Sequence, residues 1–432
     1  MNPWRSLRGL PAQVWLVCTA DFINRSGTMA LTFLVPYLTL DRQWSLATAS
    51  IAMSLYGVMR MVCGLFTGPL IDRFGAVLVL KVSLVGIGLA LVAVPFAPSP
   101  SPVPTLALLA AWGAFSQATG PACMALLAGL APSEQRRGVF ALQRLGANLG
   151  MSIGPALGGF LAHVRYDWVF WCNGGTALAA AVFVSARLTS VPREPTSATK
   201  RPSRSAWSDR RLLYLLLSLL PALFVFFQTE GTVAEWVVDG LKFDTRFLGF
   251  MFTLNTVLIV IVELALNLAM SKWPHRASFM LGATCLAVGF GSLGLAHSAV
   301  ALFGAVVVWT FGEMILLPAL SDAVASLAPA ERRGGYMGLL SFTYSVGLAF
   351  GPALGLQAYA HLGPRAMWGG CFGLGMLSVL LASRIARPAT STSAAATVAT
   401  ETTAIEPVVV AVKPAMVEPA AVEAAAADAA IE

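Results

Sequence analysis

Charged residues are scarce in this sequence. They make up 11% of the 432 residues, whereas hydrophobic residues make up 57%, and the mean hydropathy is +0.74. The surface of a soluble domain needs about a quarter of its residues charged. The composition therefore excludes a soluble globular protein and indicates a protein embedded in a membrane.

Histidines and catalytic motifs are also few. All four histidines lie in loops or at the ends of hydrophobic segments. The sequence contains no HExxH, no GxSxG and no P-loop, so we expect no enzymatic activity, no metal site and no direct use of ATP. The six cysteines lie inside hydrophobic segments without CxxC spacing, which predicts free thiols in the core.

Long hydrophobic runs dominate the chain from Val14 to Ala382. A helix needs about 20 apolar residues to cross a hydrocarbon core of about 30 Å. We therefore predict an all-α membrane protein with twelve transmembrane helices. The predicted spans are 13–39, 46–70, 77–97, 104–130, 139–162, 167–187, 212–239, 246–270, 277–297, 299–326, 335–361 and 366–384.

Lysine and arginine residues concentrate on one side of these spans. The other side has only Arg42, Arg165, Lys242, Arg246 and Arg365. The positive-inside rule then places both termini in the cytoplasm. The net charge of +7 is explained by this topology, and we expect no nucleic-acid partner.

The sequence contains an internal repeat. A shift of 197 positions aligns "APSEQRRG" (131–138) with "APAERRGG" (328–335), and "GMSIGPALGG" (150–159) with "GLAFGPALGL" (347–356), without a gap. Six spans thus repeat as six spans, and an even number gives both copies the same direction across the bilayer.

The repeat suggests four segments. We predict an N-terminal six-helix bundle over 1–189, a cytoplasmic linker over 190–211 and a C-terminal six-helix bundle over 212–387. The tail, 388–432, is rich in Ala, Thr, Val, Pro and Glu without a sustained apolar face, and we expect it to be a disordered cytoplasmic segment.

Glycines recur at four-residue spacing in the repeated stretch. Gly150, Gly154 and Gly158 fall on one helix face, which allows another helix to approach closely. Pro155 removes a backbone hydrogen bond and can bend the helix. One interpretation is plain tight packing. The other is a bendable contact between helices of the two halves.

Two motifs resemble those of a known family. "GMSIGPALGG" matches the fifth-helix signature G-x-x-x-G-P-x-x-G-G of proton-coupled antiporters in the major facilitator superfamily, and "GPLIDRFG" (68–75) is similar to its loop signature G-x-L-x-D-R-x-G. The resemblance implies two parallel six-helix repeats with a substrate site near the midplane. It also implies drug:proton antiport.

The loop motif has a physical logic of its own. Gly68 and Gly75 permit close approach and a tight turn, and Asp72 can accept hydrogen bonds from helix-start amides or pair with a nearby arginine. The resemblance implies that Asp72 latches the outward-facing state at the start of the eleventh helix; the alternative is a solvated turn. Expected gating residues are Gly68, Asp72, Arg73, Gly75, Arg136, Arg137, Gly150, Gly154, Pro155, Gly158, Gly351 and Pro352.

Several charged residues lie inside the predicted spans. A charge at mid-bilayer costs at least about 2.5–3.5 kcal/mol, so such residues face the bundle interior and mark pathways. Glu313 and Glu230 have no base at helical spacing and could bind and release protons. Asp21 and Arg25 share a helix face, as a structural pair or as a coupling pair. Glu263 either joins them or pairs with a base.

Polar and aromatic residues of the spans could line a cavity for substrate, although aromatic residues also serve simple packing. The expected substrate-binding residues are Gln117, Asn148, Gln228, Asn255, Trp112, Trp309 and Tyr344.

We therefore predict a monomeric transporter of a bacterial inner membrane. It exports small amphipathic or hydrophobic compounds in exchange for protons by alternating access, and it needs no cofactor other than the proton gradient. Two alternatives stay open: a uniporter or proton symporter that imports a metabolite, and a membrane sensor or scaffold without transport activity.

Overall fold

Helices account for the regular structure of this chain. The structure is a computed structural model that describes residues 9–98, 101–131, 135–188, 206–270, 273–329 and 333–385. Within these ranges there is no β-strand. The predicted tail lies wholly, and the predicted linker mostly, outside the described residues. The described residues belong to a single unit, Met1–Ile385.

We number the transmembrane segments in chain order and join the pieces of broken helices. They are α1 (Ala12–Ser26, Ala30–Pro36 and Tyr37–Asp41), α2 (Leu46–Phe74), α3 (Ala76–Ala93), α4 (Pro102–Leu130), α5 (Arg136–Val164), α6 (Tyr166–Arg187), α7 (Arg210–Phe226, Phe227–Glu230, Thr232–Glu235 and Trp236–Gly240), α8 (Thr245–Ala269), α9 (His275–Ser292), α10 (Ala299–Leu327), α11 (333–362) and α12 (364–383).

These segments follow the predicted spans in order and are consistent with their number. α11 and α12 follow each other directly, and the chain leaves helical geometry between them at Gly363, whose φ is +81°. Counted over the described residues, eight helical stretches are long and apolar enough to cross a membrane. The predicted all-α membrane fold is confirmed.

Polar residues fix several helix starts. The Ser45 hydroxyl accepts a hydrogen bond from the Thr48 N–H (3.2 Å) at the start of α2. Asp209 accepts one from the Arg211 N–H (2.8 Å) at the start of α7. The Tyr336 hydroxyl of α11 also donates to Asp209 (2.6 Å), and this hydrogen bond lowers the pKa of Asp209 below its usual value.

The first helix of each half is broken, which the sequence analysis does not predict. α1 is interrupted between Ser26 and Ala30, and α7 at Gly231. Both helices end in a turn of π-helix, and each is followed by a residue with left-handed backbone, Gln43 (φ 56°) or Lys242 (φ 58°). Both halves thus contain a break, and each break lies in a short polar stretch, 24–28 or 228–232, within a predicted span.

The two halves meet along two pairs of helices, α2 with α11 and α5 with α8. α3 packs against α4 and α6 within the first half, and α9 packs against α10 and α12 within the second. Successive helices alternate in direction. We call the membrane side where α1 begins the terminal side, and the side where α1 ends the distal side.

Candidate functional site

The glycine face of α5 packs against the break in α1. A Cβ atom built on Gly154 would lie 2.4 Å from the Thr28 carbonyl oxygen, and one on Gly150 would lie 2.8 Å from the Arg25 Cβ. The Cβ position of Gly158 is equally blocked by Met29 (2.9 Å). The expectation that this face meets the other half is therefore wrong, because its partner lies in the same half.

The second copy makes the same contact. Of the glycines that correspond to the first set, Gly347 and Gly351 face Phe227 and Phe224 of α7, and Gly355 faces Gln228. A Cβ atom on Gly347 would lie 2.9 Å from the Phe227 ring. The repeated stretch, with Pro155 and Pro352 inside it, is thus the surface that accommodates a broken helix.

Other glycines bring the two halves together, and the sequence analysis did not single them out. A Cβ atom on Gly57 of α2 would lie 2.4 Å from the Ala349 Cα of α11. One on Gly159 of α5 would lie 2.8 Å from the Thr245 carbonyl oxygen and 3.1 Å from the Gly249 Cα of α8. Backbones approach this closely only where side chains are absent.

Several polar contacts join the halves on the distal side. Gln357 donates to the Ser50 hydroxyl (2.6 Å), and the Thr245 hydroxyl donates to the Gly159 carbonyl oxygen (3.0 Å). His163 lies 2.8 Å from Asp244 across the same boundary. Together with the glycine contacts, these interactions close the molecule on its distal side.

A cavity of about 150 Å³ lies on the terminal side of these contacts, between α5, α8 and α10. Two predicted substrate-binding residues, Asn148 and Asn255, and two predicted proton-coupling residues, Glu263 and Glu313, line it. The lining residues are Arg144, Asn148, Met151, Asn255, Thr256, Ile259, Glu263, Glu313, Met314, Leu317 and Pro318.

Glu313 occupies the middle of α10 and is half-buried. The Asn255 amide donates to Glu313 Oε2 (3.1 Å) and to the Thr310 hydroxyl (2.9 Å), which in turn donates to the Val306 carbonyl oxygen (2.6 Å). Among the described residues, no lysine, arginine or histidine forms an ion pair with Glu313. Its one polar side-chain partner is therefore neutral.

Charges of opposite sign face each other across the boundary between the halves. Arg144 of α5 forms an ion pair with Glu263 of α8. Arg60 of α2 and Glu230, which lies at the break of α7, carry opposite charges but form no ion pair in the described part of the chain. Both bases belong to the first half, and the acids, including Glu313, belong to the second.

Asp21 and Arg25 form the predicted pair on α1, with 3.4 Å between Arg25 Nε and Asp21 Oδ1. Asp21 is buried, and it also accepts a hydrogen bond from Gln143 of α5 (2.7 Å). Gln143 was not predicted, because nothing in the sequence indicates which polar residue of α5 faces α1. The coupling role of the pair stays a prediction.

Some predicted substrate-binding residues do not line the cavity. Trp112 is buried against the Tyr56 ring, with centroids 4.5 Å apart, and Trp309 stacks on Phe290 at 5.0 Å. Gln228 is buried in α7. These three positions belong to packing within the halves.

Gln228 ties the break of α7 to α11. Its amide donates to the carbonyl oxygens of Phe224 (2.7 Å) and Gly351 (2.8 Å), and it accepts from the Thr232 hydroxyl (2.7 Å). These contacts engage the amide nitrogen and the amide oxygen of Gln228 within the second half.

Two further predicted residues have intermediate exposure. Gln117 accepts hydrogen bonds from the Arg60 guanidinium (3.3 Å) and so orients that charge. Tyr344 of α11 packs partly against the core.

The loop motif forms the turn between α2 and α3. Gly75 has a φ of +85°, which supports the predicted need for glycine there. Asp72 and Arg73 are exposed, and Asp72 makes no hydrogen bond or ion pair within the described part of the chain. The side chains of Arg136 and Arg137 lie outside the described residues. A Cβ atom on Gly68 would meet no atom within 4 Å, so its close approach is absent in this conformation.

A larger groove of about 640 Å³ lies between α3 and α4. Apart from Lys81, its lining is apolar, and Val82 and Leu89 are exposed there. It contains none of the intramembrane acids and shares no lining residue with the cavity between α5, α8 and α10.

Bacterial transporters are similar to this chain in sequence. The uncharacterized MFS-type transporter YttB of Bacillus subtilis (strain 168) is 24% identical over 369 residues, which cover 83% of this chain and 91% of the relative. The multidrug resistance protein MdtH of Klebsiella pneumoniae (strain 342) is 26% identical over 323 residues, which cover 72% of this chain and 76% of the relative.

Solved transporter structures share the fold. The nucleoside transporter NupG superposes with a TM-score of 0.69 at 13% identity, covering 87% of this chain and 98% of NupG. The human organic anion transporter MFSD10 (TETRAN) superposes with a TM-score of 0.64 at 21% identity, covering 86% of this chain and all of MFSD10 (100%).

The family model of the Major Facilitator Superfamily matches residues 17–245 and 231–421, which together span most of the chain. The helical order, the internal repeat and the contacts between the halves agree with that match. This integral membrane protein therefore belongs to the major facilitator superfamily of transporters.

Proposed function

We propose that this chain exports small amphipathic or hydrophobic compounds across a bacterial inner membrane in exchange for protons, by alternating access. The similarity to the multidrug resistance protein MdtH supports the substrate class. The likeness of residues 150–159 to the antiporter signature supports proton exchange. The concentration of basic residues on the terminal side supports cytoplasmic termini. The protein acts as a monomer and uses no cofactor.

The environment of Glu313 carries the proposal. Its carboxyl group lies on the wall of the cavity between the halves, and its polar side-chain partner is the neutral Asn255 amide. Glu230 and Glu263 are close enough to repel it electrostatically. A carboxyl group in such a place can bind and release a proton as its surroundings change.

Proton and substrate act on the same cavity in this mechanism. The conformation described here is closed on the distal side, so the cavity belongs to the terminal side, which we propose is cytoplasmic. Loss of the Glu313 proton and entry of the substrate occur in this state. Antiport requires that substrate and proton favour different conformations, and their competition near Glu313 provides this.

Transport by inside-out vesicles tests the proposal. Vesicles that contain the protein are energised to be acidic inside, and a pH-sensitive dye reports proton efflux as cationic, neutral and anionic compounds are added. We expect compound-dependent collapse of the gradient with the wild-type protein, and at least tenfold slower collapse with Glu313→Gln at equal protein in the membrane.

Asp322→Asn is the matched control, because Asp322 lies on the same helix but is exposed, 3.6 Å from His275 at the terminal end. It should transport like the wild type. Wild-type rates in the Glu313→Gln vesicles would remove Glu313 from the coupling mechanism.

Import of a polar metabolite is the second candidate, because charged and amide groups face the cavity. In the same vesicles, no compound of the panel would then collapse the gradient, and uptake of a polar solute by right-side-out vesicles would be measured instead.

A further inference from the structure

Glu235 is a buried acid on the distal side of α7 that the sequence analysis did not single out. Glu235 is only 2% exposed, and its side chain faces α1 of the other half. Glu235 Oε2 lies 3.1 Å from Thr39 Oγ1. This contact joins the two halves at the ends of the two broken helices.

The Thr39 hydroxyl has two oxygen neighbours but one proton. Thr39 Oγ1 also lies 3.0 Å from the Val35 carbonyl oxygen, four residues earlier in α1. Donation from a threonine hydroxyl to that carbonyl is a common local bond in helices, and a carbonyl oxygen cannot donate in return. When the Thr39 hydroxyl donates its proton to the Val35 carbonyl oxygen, the hydrogen bond between Thr39 and Glu235 requires a proton on the Glu235 carboxyl group.

Few charged or titratable groups surround Glu235. Tyr166 at the start of α6 and Tyr359 of α11 interact with it, and both are neutral acids with a hydroxyl proton of their own. Asp239 and Lys242, at the end of α7, pair with each other at 2.7 Å, and they act on Glu235 with opposite signs. Within the described part of the chain, Glu235 has no ion pair of its own.

We propose that Glu235 is a further proton-binding residue of this transporter, which carries a proton while the distal side is closed and opens that side when the proton is lost. An ionised carboxylate at this place would be buried between the two halves without an ion-pair partner among the described residues, which is costly. Opening brings water to the carboxylate and removes that cost. The proposal rests on alternating access but not on Glu313 as the coupling residue.

Protons from the distal side would then close the transporter. A proton that binds Glu235 in the distal-open state restores the hydrogen bond to Thr39 and favours closure. Because one proton links the two states, the ratio of closed to open molecules should fall about tenfold for each pH unit above the midpoint.

A distance measurement tests this link without substrate or a proton gradient. Nitroxide labels are attached at Ala47→Cys of α2 and Leu362→Cys of α11, both exposed on the distal side, in a background whose six native cysteines are replaced with alanine. We expect pulsed EPR of protein in nanodiscs to show a short distance at low pH and a growing long-distance population as the pH rises.

Glu235→Gln keeps the size and hydrogen bonds of the protonated carboxyl group. It should show the short distance throughout the pH range. Asp322→Asn, which changes an exposed acid at the terminal end of α10, should keep the wild-type midpoint. A pH response in Glu235→Gln that equals the wild type, or no pH response in the wild-type protein, would overturn the proposal.

Infrared spectroscopy of the wild-type protein at neutral pH tests the protonation directly. The difference between wild type and Glu235→Gln should contain the C=O stretching band of one protonated carboxyl group, and it should shift in D₂O. A carboxylate band in its place would contradict the proposal. Neither measurement depends on transport. Glu235 can therefore pass or fail these two tests whether or not the vesicles show proton antiport.

Discussion

Single residues decide how closely the helices of this protein approach. Gly146, Gly150, Gly154 and Gly158 follow one another at the same spacing on α5, but the first has no neighbour within 4 Å of its Cβ position. The sequence shows the spacing, and from it the close packing could be predicted. It does not show where the contact with α1 begins, because that depends on the position of α1 in space.

Gly154→Ala is therefore expected to destabilise the protein. Its Cβ atom would lie 2.4 Å from the Thr28 carbonyl oxygen, which is backbone and cannot rotate away. Overpacking of this kind costs about 1–3 kcal/mol. Thermal unfolding in nanodiscs measures it as a lower midpoint.

Gly146→Ala on the same helix is the control, and it should leave the midpoint unchanged or raise it slightly, since alanine favours helix over glycine. Equal midpoints for the two variants would contradict the assigned contact.

At the scale of the element, the breaks in α1 and α7 are the feature that the predicted spans miss. Each break falls in a short polar stretch, 24–28 or 228–232, inside a longer run that hydropathy predicts as one span. The backbone N–H groups freed by the break in α1 find an acceptor that is distant in the chain. The Asn173 amide oxygen of α6 accepts hydrogen bonds from the N–H groups of Met29 (3.4 Å) and Ala30 (3.2 Å). The break forms because another helix satisfies these donors.

Asn173→Leu should destabilise α1 at its break. Two backbone N–H groups would lose their acceptor in a buried place, at a cost of about 1–3 kcal/mol. Hydrogen exchange followed by mass spectrometry should show faster exchange in the peptide that contains Met29 and Ala30.

Asn173→Asp, which keeps an oxygen acceptor, should preserve much of the protection. Unchanged exchange in Asn173→Leu would show that the break does not need this cap.

At the scale of the whole molecule, the closed distal side depends on contacts between the halves. Gly159 and Gly249 allow α5 and α8 to touch, and Gly57 does the same for α2 and α11. The terminal side instead has the cavity and an exposed Asp72, which the resemblance expects to latch the opposite state. The conformation described here thus fits a transporter that is open toward its terminal side.

Gly159→Leu should shift the molecule away from this conformation. A Cβ atom there already lies 2.8 Å from the Thr245 carbonyl oxygen, and the rest of a leucine side chain has no room. The label pair at Ala47 and Leu362 should show the long distance as the main population at low pH, where the parent protein shows the short one.

Gly175→Leu on α6, whose Cβ position is open, should behave like the parent protein. A short distance in Gly159→Leu would mean that the contact of α5 with α8 does not hold the distal side closed.

The sequence by itself determined the membrane class, the all-α fold, the internal repeat and the position of Glu230 and Glu313 inside hydrophobic segments, because these follow from composition and hydropathy. Only the tertiary structure decided that the glycine faces hold broken helices, that Asn255 faces Glu313, and that Glu235 meets Thr39. These are contacts between segments far apart in the chain, and they depend on side-chain directions that local sequence does not specify.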